Sequence, residues 1–397
     1  MVGVLVLAGA AVTAVAYRHL NANLRAAPLF AGTRGDAGVE TPDAFGNSPI
    51  NILVIGSDGR GNPADCAIGG DCTSGGANAD VEMVVHVSAD RTNATVMSVP
   101  RDTVTLLPAC RDPKSGASMA EHAGQINSTL AYGPGCTVAA VHALTGIPID
   151  HFVMADFAGV VSMSDAIGGV QVCVSDNVYD PYSHLKLTAG SHTLQGLAAL
   201  EFLRSRHAFG DGSDLGRTYA QHAFLASMIR TLSAAGVLGN PARVVRLAEA
   251  ATRALTVDDA LRSIARLVTL ATDVDDVPSS RITFLTMPSS PDPQNPARVV
   301  PAASAKALFR AVAQDRPVTP PRPAPSTPGH RPGRPPSSSP SPSAAGATAP
   351  DGAHARTADD ARTCAPVSRQ RTVVLRGVPM SPVTAYARSG DVPVSAP

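Results

Sequence analysis

Short apolar runs bounded by turn residues recur along the chain, separated by segments in which apolar residues return every three or four positions. INILVIG (50–56) is an apolar run rich in β-branched residues that ends at a turn, the pattern of a buried strand. VEMVVHVS (81–88) and ATVMSVP (94–100) read as two more strands, joined by the polar turn at 89–93. HFVMA (151–155), VQVCV (170–174) and ITFLTMP (282–288) are further candidates. Helical spacing runs over 137–145, which stops at Gly146, and over 156–167, which runs into Gly168-Gly169. The stretch 193–203 carries Leu194, Leu197, Ala198 and Phe202 on one stripe, and 215–235 carries Phe224, Leu225, Met228, Ile229 and Leu232 before Gly236. Two more helices are expected within 242–271, around Val257-Asp258-Asp259. Strands alternating with helices predict a layered α/β/α domain with a central mixed sheet over residues 49–313.

The two ends behave differently. Residues 2–17 are unbroken apolar sequence followed by Arg18 and His19. A bilayer-spanning helix needs about 20 residues, with about 17 as the low end. An N-terminal transmembrane helix is therefore expected within 1–20, with a polar linker over 21–48. Residues 314–350 are Pro, Ser, Arg and Ala without periodicity, which predicts a disordered spacer. Residues 351–397 hold one apolar patch, TVVL (372–375), too little for a domain, so this tail is expected to be mostly disordered.

Composition narrows the function. Hydrophobic residues make up 44% of the 397, enough for a sizeable core. The formal net charge of +0 argues against nucleic acid as a partner, because phosphate-backbone binding needs a basic excess. Of the six cysteines, none forms a C-x-x-C and none has His at ligand spacing, which argues against zinc; an even count fits disulfides in an oxidising compartment. Cys110 with Cys136 and Cys66 with Cys72 are the favoured pairs. Cys173 and Cys364 remain, either unpaired or joined by a tail that folds back.

Candidate chemistry lies where strands end and helices begin. Asp58 and Arg60 follow the first strand, Asp80 enters the second, and Arg101-Asp102 follow the third. Further on come Arg204-x-Arg206 and then Asp214, Arg217 and Gln221. Ligands of open α/β sheets bind beyond the carboxyl ends of strands, so Asp58 and Arg101 are placed to converge. Two carboxylates such as Asp58 and Asp80 suit magnesium, which takes few protein oxygens and keeps phosphate or water in its other sites. Arginine suits bidentate grip of phosphate. Arg204 and Arg206 share a face only on an extended stretch, whereas Arg217 and Gln221 share one on a helix. The set suits phosphoryl transfer, which is mostly positioning and charge stabilisation. Blander alternatives stand beside each residue taken singly. An Asp after a strand is more often a turn former, Asp214 serves equally as a helix cap, and Arg-x-Arg is usually a solvated edge.

In combination and order, the residues resemble the LytR-CpsA-Psr family. The likeness runs through NILVIGSDGR (51–60), NAD (78–80), MSVPRDT (97–103), QINSTLAYG (125–133), LTGIPIDHFV (144–153), DAIGGVQV (165–172), TLQGLAALEFLRSRH (193–207) and DLGRTYAQ (214–221). The resemblance implies a single-pass membrane protein whose catalytic domain is extracytoplasmic. It implies transfer of a glycopolymer from a polyprenyl diphosphate carrier to peptidoglycan, with magnesium as cofactor. On it, Asp58 and Asp80 correspond to the metal-linked carboxylates, and Arg101, Asp102, Arg204, Arg206 and Arg217 to the catalytic set. Arg60, Gln125 and Gln221 join the arginines as substrate-binding positions, and an apolar pocket between sheet and helices takes the isoprenoid tail. The chain departs from the pattern at Gln125, where the family often has Lys, and at Ala220-Gln221-His222, where it commonly has Arg-Gln-Gln. It also has a longer Gly-rich insertion between Asp58 and Asp80. Hydrolysis of the diphosphate, or binding of a lipid-linked glycan with weak catalysis, are the competing activities these departures leave open.

Overall fold

The structure, a computed structural model, describes residues 14–30, 37–39, 42, 45–59, 65–66, 68, 77–212, 214–233, 241–319, 347–350, 352–358 and 364–395. Its centre is an eight-stranded mixed sheet. In chain order the strands are β1 (Arg25–Ala27), β2 (Ile50–Ser57), β3 (Ala79–Val87), β4 (Ala94–Ser98), β5 (His151–Ala155), β6 (Leu255–Asp258), β7 (Ile282–Thr286) and β8 (Arg356–Thr357). Across the sheet they lie in the order β1-β6-β5-β2-β3-β4-β7-β8. β2 runs parallel to β5, and β4 to β7, while β2, β3 and β4 form an antiparallel meander. The helices that build the domain are α1 (Pro134–Thr145), α2 (Phe157–Ile167), α3 (Gly196–Arg204), α4 (Asp214–Ser233), α5 (Pro241–Ala254), α6 (Ile264–Asp275), α7 (Ala305–Ala313) and α8 (Pro382–Arg388).

Strand alternation sends successive side chains to opposite faces, and both faces here are covered. Leu53, Ile55, Val84, Met97 and Leu285 point into a core closed by α1, α7 and the 3-10 helix Ile126–Tyr132. Ile50, Val54, Met83, Val87, Val96 and Phe284 point the other way, against Leu225, Ala226 and Ile229 of α4. A second core gathers Ile167, Leu194, Phe202, Phe209 and Phe224 around the hairpin Val170–Val174 with Gly190–Leu194. This second core lies beside the sheet and packs α3 against α4.

Several expectations change. The helix expected from 193 begins at Gly196, because Thr193 and Leu194 belong to the hairpin. The region 242–271 does hold two helices, but Leu255–Asp258 between them is a strand of the central sheet. The tail expected to be mostly disordered is ordered over 364–395. It holds the hairpin Val373–Leu375 with Val378–Met380, helix α8, and buried Ala365 and Val367 in the second core. Its order comes from partners elsewhere in the chain, since Cys364 is bonded to Cys173, 191 residues away. Cys110 and Cys136 are joined as well, with Cα atoms 5.7 Å apart. Cys66 is disulfide-bonded, and Cys72 lies outside the described residues. Most of the expected spacer 314–350 and the apolar run 2–13 also lie outside them. Residues 14–23 are helical, and no described helix is long and apolar enough to cross a membrane.

Candidate active site

The site grows from two strand ends and one helix junction. Gly56 pairs with Val81 and Ser57 with Ala79, so Asp80 is the unpaired extra residue of a β-bulge. A bulge re-aims side chains that strict alternation would send elsewhere. Asp80 and Val81 consequently line the same cleft. The strands approach closely there: a Cβ on Gly56 would lie 2.8 Å from Val81 Cβ, closer than any side chain tolerates.

After β4 the chain turns at Pro100. Thr103 N donates to Pro100 O at 3.0 Å, and Asn127 N donates to Arg101 O at 3.3 Å, which fixes the backbone bearing Arg101 and Asp102. Arg101 bridges two carboxylates: its Nη1 donates to Asp80 Oδ1, and its Nε lies 3.6 Å from Asp102 Oδ2. Asp102 also accepts from Gln125 Nε2 at 2.8 Å and from Arg206 Nη2 at 3.4 Å. From the far side, Arg217 Nη2 donates to the Asp80 carbonyl at 3.1 Å.

The junction between α3 and α4 supplies the remaining cations. Arg204 ends α3, and Ser205 leaves the helix in extended geometry, so Arg204 and Arg206 both face the cleft. The Arg204 guanidinium sits 4.7 Å from the centre of the Phe157 ring. Arg217 and Gln221, one turn apart on α4, are buried at 4% and 5% exposure and line the cleft together. The cleft has a volume of about 360 Å³. Arg101, Arg204, Arg206 and Arg217 line it, against Asp80 and Asp156 as acids. Asp156 is occupied elsewhere, capping α2 and pairing with Arg25 at 3.0 Å. The cluster of guanidinium groups suits a diphosphate, and Phe157, Val160, Leu200 and Leu203 add apolar lining to the same cleft.

Not every expected residue lines the cleft. Asp102 and Gln125 stand behind it, holding Arg101 and Arg206. Asp58 is held by Asn78, whose Nδ2 donates to Asp58 Oδ2 at 3.1 Å, and Asp58 N donates to Asn78 O at 3.1 Å. Arg60 lies outside the described residues. For magnesium the donors are hard oxygens on facing strand ends. Arg101 donates to Asp80 Oδ1 and Asn78 donates to both Asp58 oxygens, and a carboxylate oxygen has more lone pairs than one donor uses. No group of three or more His, Cys, Asp or Glu converges among the described residues.

Other residues were not singled out from the sequence. Asp180 accepts from Ser205 Oγ at 2.7 Å and from His207 N at 3.4 Å, bracing the junction. Tyr182 and His207 line the cleft with their rings 4.9 Å apart. No local pattern marks them. Asp156-Phe157 did carry a signal, an acid before a helix start. Ala220, where the family pattern has Arg, is fully buried in the second core beside Phe224. His222 is buried against Phe284 and shares a 2.7 Å hydrogen bond with Ser98 Oγ. Burial, and then the charge of Arg356, push its imidazole down to about 3, so it is neutral at ordinary pH.

A sequence model of the LytR_cpsA_psr family matches residues 31–312. The chain is 30% identical over 280 residues to the cell wall biosynthesis protein LcpA of Corynebacterium glutamicum, covering 64% of this chain and 52% of that one. It is 28% identical over 233 residues to the polyisoprenyl-teichoic acid–peptidoglycan teichoic acid transferase TagT of Bacillus subtilis, covering 57% and 66%. It thus spans about half the length of its Corynebacterium relatives. Its fold is similar to that of a LytR-Csp2A-Psr enzyme from Actinomyces oris, with a TM-score of 0.54 at 22% identity, over 73% of this chain and 96% of the other.

Proposed function

Because the chain belongs to the LytR-CpsA-Psr family, we propose that it transfers a glycopolymer from a polyprenyl diphosphate carrier to peptidoglycan. One observation carries the reading: four arginines, Arg101, Arg204, Arg206 and Arg217, line one cleft together with the apolar side chains of Phe157, Val160, Leu200 and Leu203. A lipid diphosphate likewise joins charge to grease. TagT, a relative, is named as a transferase of teichoic acid to peptidoglycan.

In the proposed reaction the diphosphate lies against the arginines and the isoprenoid tail lies along Phe157, Val160, Leu200 and Leu203. A sugar hydroxyl of the wall attacks the phosphorus nearer the glycan. A new P–O bond forms, the bridging P–O bond breaks, polyprenyl phosphate leaves, and the hydroxyl proton is released. Negative charge grows on the bridging and equatorial oxygens, where fixed guanidinium groups stabilise it without reorganising. Arg217 is almost wholly buried. Asp102 orients Arg101 and Arg206 instead of reaching substrate, and Gln125 holds Asp102 in place. Asp58 and Asp80 would hold magnesium, which when bound supplies positive charge to the diphosphate oxygens.

An extracytoplasmic, membrane-anchored location belongs to the same proposal. Disulfides at Cys110–Cys136 and Cys173–Cys364 fit an oxidising compartment. The test is incubation of the protein with a labelled lipid-linked glycan and wall fragments, with magnesium and with chelator. Label moving to the wall supports transfer. Water-soluble glycan phosphate alone means hydrolysis, and lipid bound but unchanged means a binding protein; either rejects the transferase reading.

A further inference from the structure

The family match ends at residue 312, yet residues 364–372 lie directly on the segment that carries Arg206. We propose that residues 364–372 form a strap that positions the junction between α3 and α4, and with it Arg206 and Arg217. The proposal rests on the transferase reading for its kinetic consequence, though not for its structural one.

The strap is fastened at one end and grips at the other. Cys364 is bonded to Cys173 on the hairpin that leads into α3. Beside that bond, Ala365 N donates to Cys173 O at 2.8 Å, Ser175 N to Ala365 O at 3.0 Å, and Val367 N to Ser175 Oγ at 2.9 Å. From there the chain crosses to the junction, where Val367 pairs antiparallel with Phe209. Gly210 N donates to Pro366 O at 2.9 Å, Ser368 N to Ala208 O at 2.7 Å, and Thr372 Oγ1 to His207 O at 2.7 Å. His207, Ala208 and Gly210 of the junction thus find their partners on the strap.

Apart from the burial of Ala208 and Phe209 in the second core, the junction's backbone is fixed mainly from outside it. Gly210 and Gly212 take positive φ, at +58° and +77°, a conformation that costs side-chain-bearing residues and that glycine adopts freely. Asp180 is a second polar anchor, accepting from Ser205 and His207, and Phe209 packs edge-on against Phe202. Without the strap, the Gly210 N–H and the carbonyls of His207 and Ala208 would face the second core or water, and the segment would sample other arrangements. Arg206 sits one residue before this grip and Arg217 one turn into the helix after it. Motion there would misplace two of the four guanidinium groups, and small misplacements of positioned groups cost rate steeply. Ser368 and Thr372 are therefore positioning residues, since they act through backbone and not on substrate.

Thr372→Val removes one grip, and Cys173→Ser with Cys364→Ser removes the fastening. Each is compared with Thr372→Ser, which keeps the hydroxyl, and each is first shown to keep wild-type circular dichroism. Amide exchange across 205–212 is expected to rise about tenfold in the double serine variant. The expected kcat falls about fivefold for Thr372→Val, equivalent to one lost hydrogen bond, with KM for the lipid donor unchanged and Thr372→Ser near wild type. Wild-type exchange over 205–212 in both variants overturns the strap, whatever the activity. Faster exchange with wild-type kcat overturns its positioning role. Faster exchange in a protein whose unmodified form shows no transfer rejects the transferase reading and leaves the strap standing.

Discussion

Replacing Arg101 by Ala isolates the residue on which the cleft's charges converge. Arg101 is 18% exposed and binds Asp80, itself 21% exposed, while its Nε faces Asp102. Removing one preorganised donor to a developing oxyanion costs about 100- to 1000-fold in rate, roughly 2.7–4 kcal/mol. The variant does more than remove a donor, because Asp80 then faces the diphosphate without its counter-charge. At roughly 5 Å and an effective dielectric of about 20, that repulsion is about 3 kcal/mol before solvent screens it. The loss in kcat/KM is therefore expected near the upper end, about a thousandfold. Stability should fall by only about 1 kcal/mol, since pairs with this much solvent contact contribute little to folding. Arg101→Lys keeps the charge but cannot reach both carboxylates from separate nitrogens, so it should recover only a small part of the rate. The assay follows transfer of labelled glycan from lipid to wall fragments at several donor concentrations, beside thermal melts of each variant. A folded Arg101→Ala protein with more than a tenth of wild-type kcat/KM would refute this account of the cleft.

Three further outcomes follow from other parts of the structure. Replacing Cys110 and Cys136 together by Ser should cost about 3.5 kcal/mol in urea unfolding, the entropy of a loop closed over a separation of 26 residues; a cost below about 1 kcal/mol would mean the unfolded chain was never constrained by that bond. His222 binds its proton far more weakly folded, at about 3, than unfolded at 6.5, so the unfolded state gains protons as pH falls below 6.5 and stability is lost there. Between pH 8 and pH 5 this one residue should remove about 2 kcal/mol, and His222→Asn should flatten that part of the profile; an unchanged slope would contradict a neutral buried imidazole. Gly216→Ala places a methyl group against the Phe209 carbonyl, a backbone atom that cannot turn aside, so α4 and Arg217 must shift; transfer should drop at least about tenfold, and wild-type kcat would show the junction has slack.

The parts of the fold written in the sequence are those decided locally. Strands β2, β3, β4, β5 and β7 are apolar runs long enough to be read alone, because both their faces are covered. β6 was missed because LTVD is short and sits between two helices; only its place between β1 and β5 makes it a strand. β1 and β8 end the sheet with three and two residues and carry no pattern at all. The tail looked unable to fold because it cannot bury a core alone. It folds by donating Ala365 and Val367 to a core built elsewhere, and no local signal records that. The site divides in the same way. Residue types and order identified Arg101, Arg204, Arg206 and Arg217, and helical period placed Gln221 beside Arg217. Their arrangement was not legible: Asp80 reaches the cleft through a bulge set by its partner's register, and Asp102 is held by donors from Gln125 and Arg206, with Arg101 Nε 3.6 Å away.

The central claim is that one phosphorus changes partners, from polyprenyl phosphate to a wall hydroxyl. Its most direct test uses a lipid-linked glycan carrying ³²P in the phosphate next to the sugar, with purified protein, wall fragments and magnesium. Both products are counted from the same reaction. The expected result is one polyprenyl phosphate released for each labelled phosphate fixed to the wall in a phosphodiester, with neither product formed by Arg101→Ala. Polyprenyl phosphate released without wall-bound label, or glycan fixed to the wall without its phosphate, would contradict it.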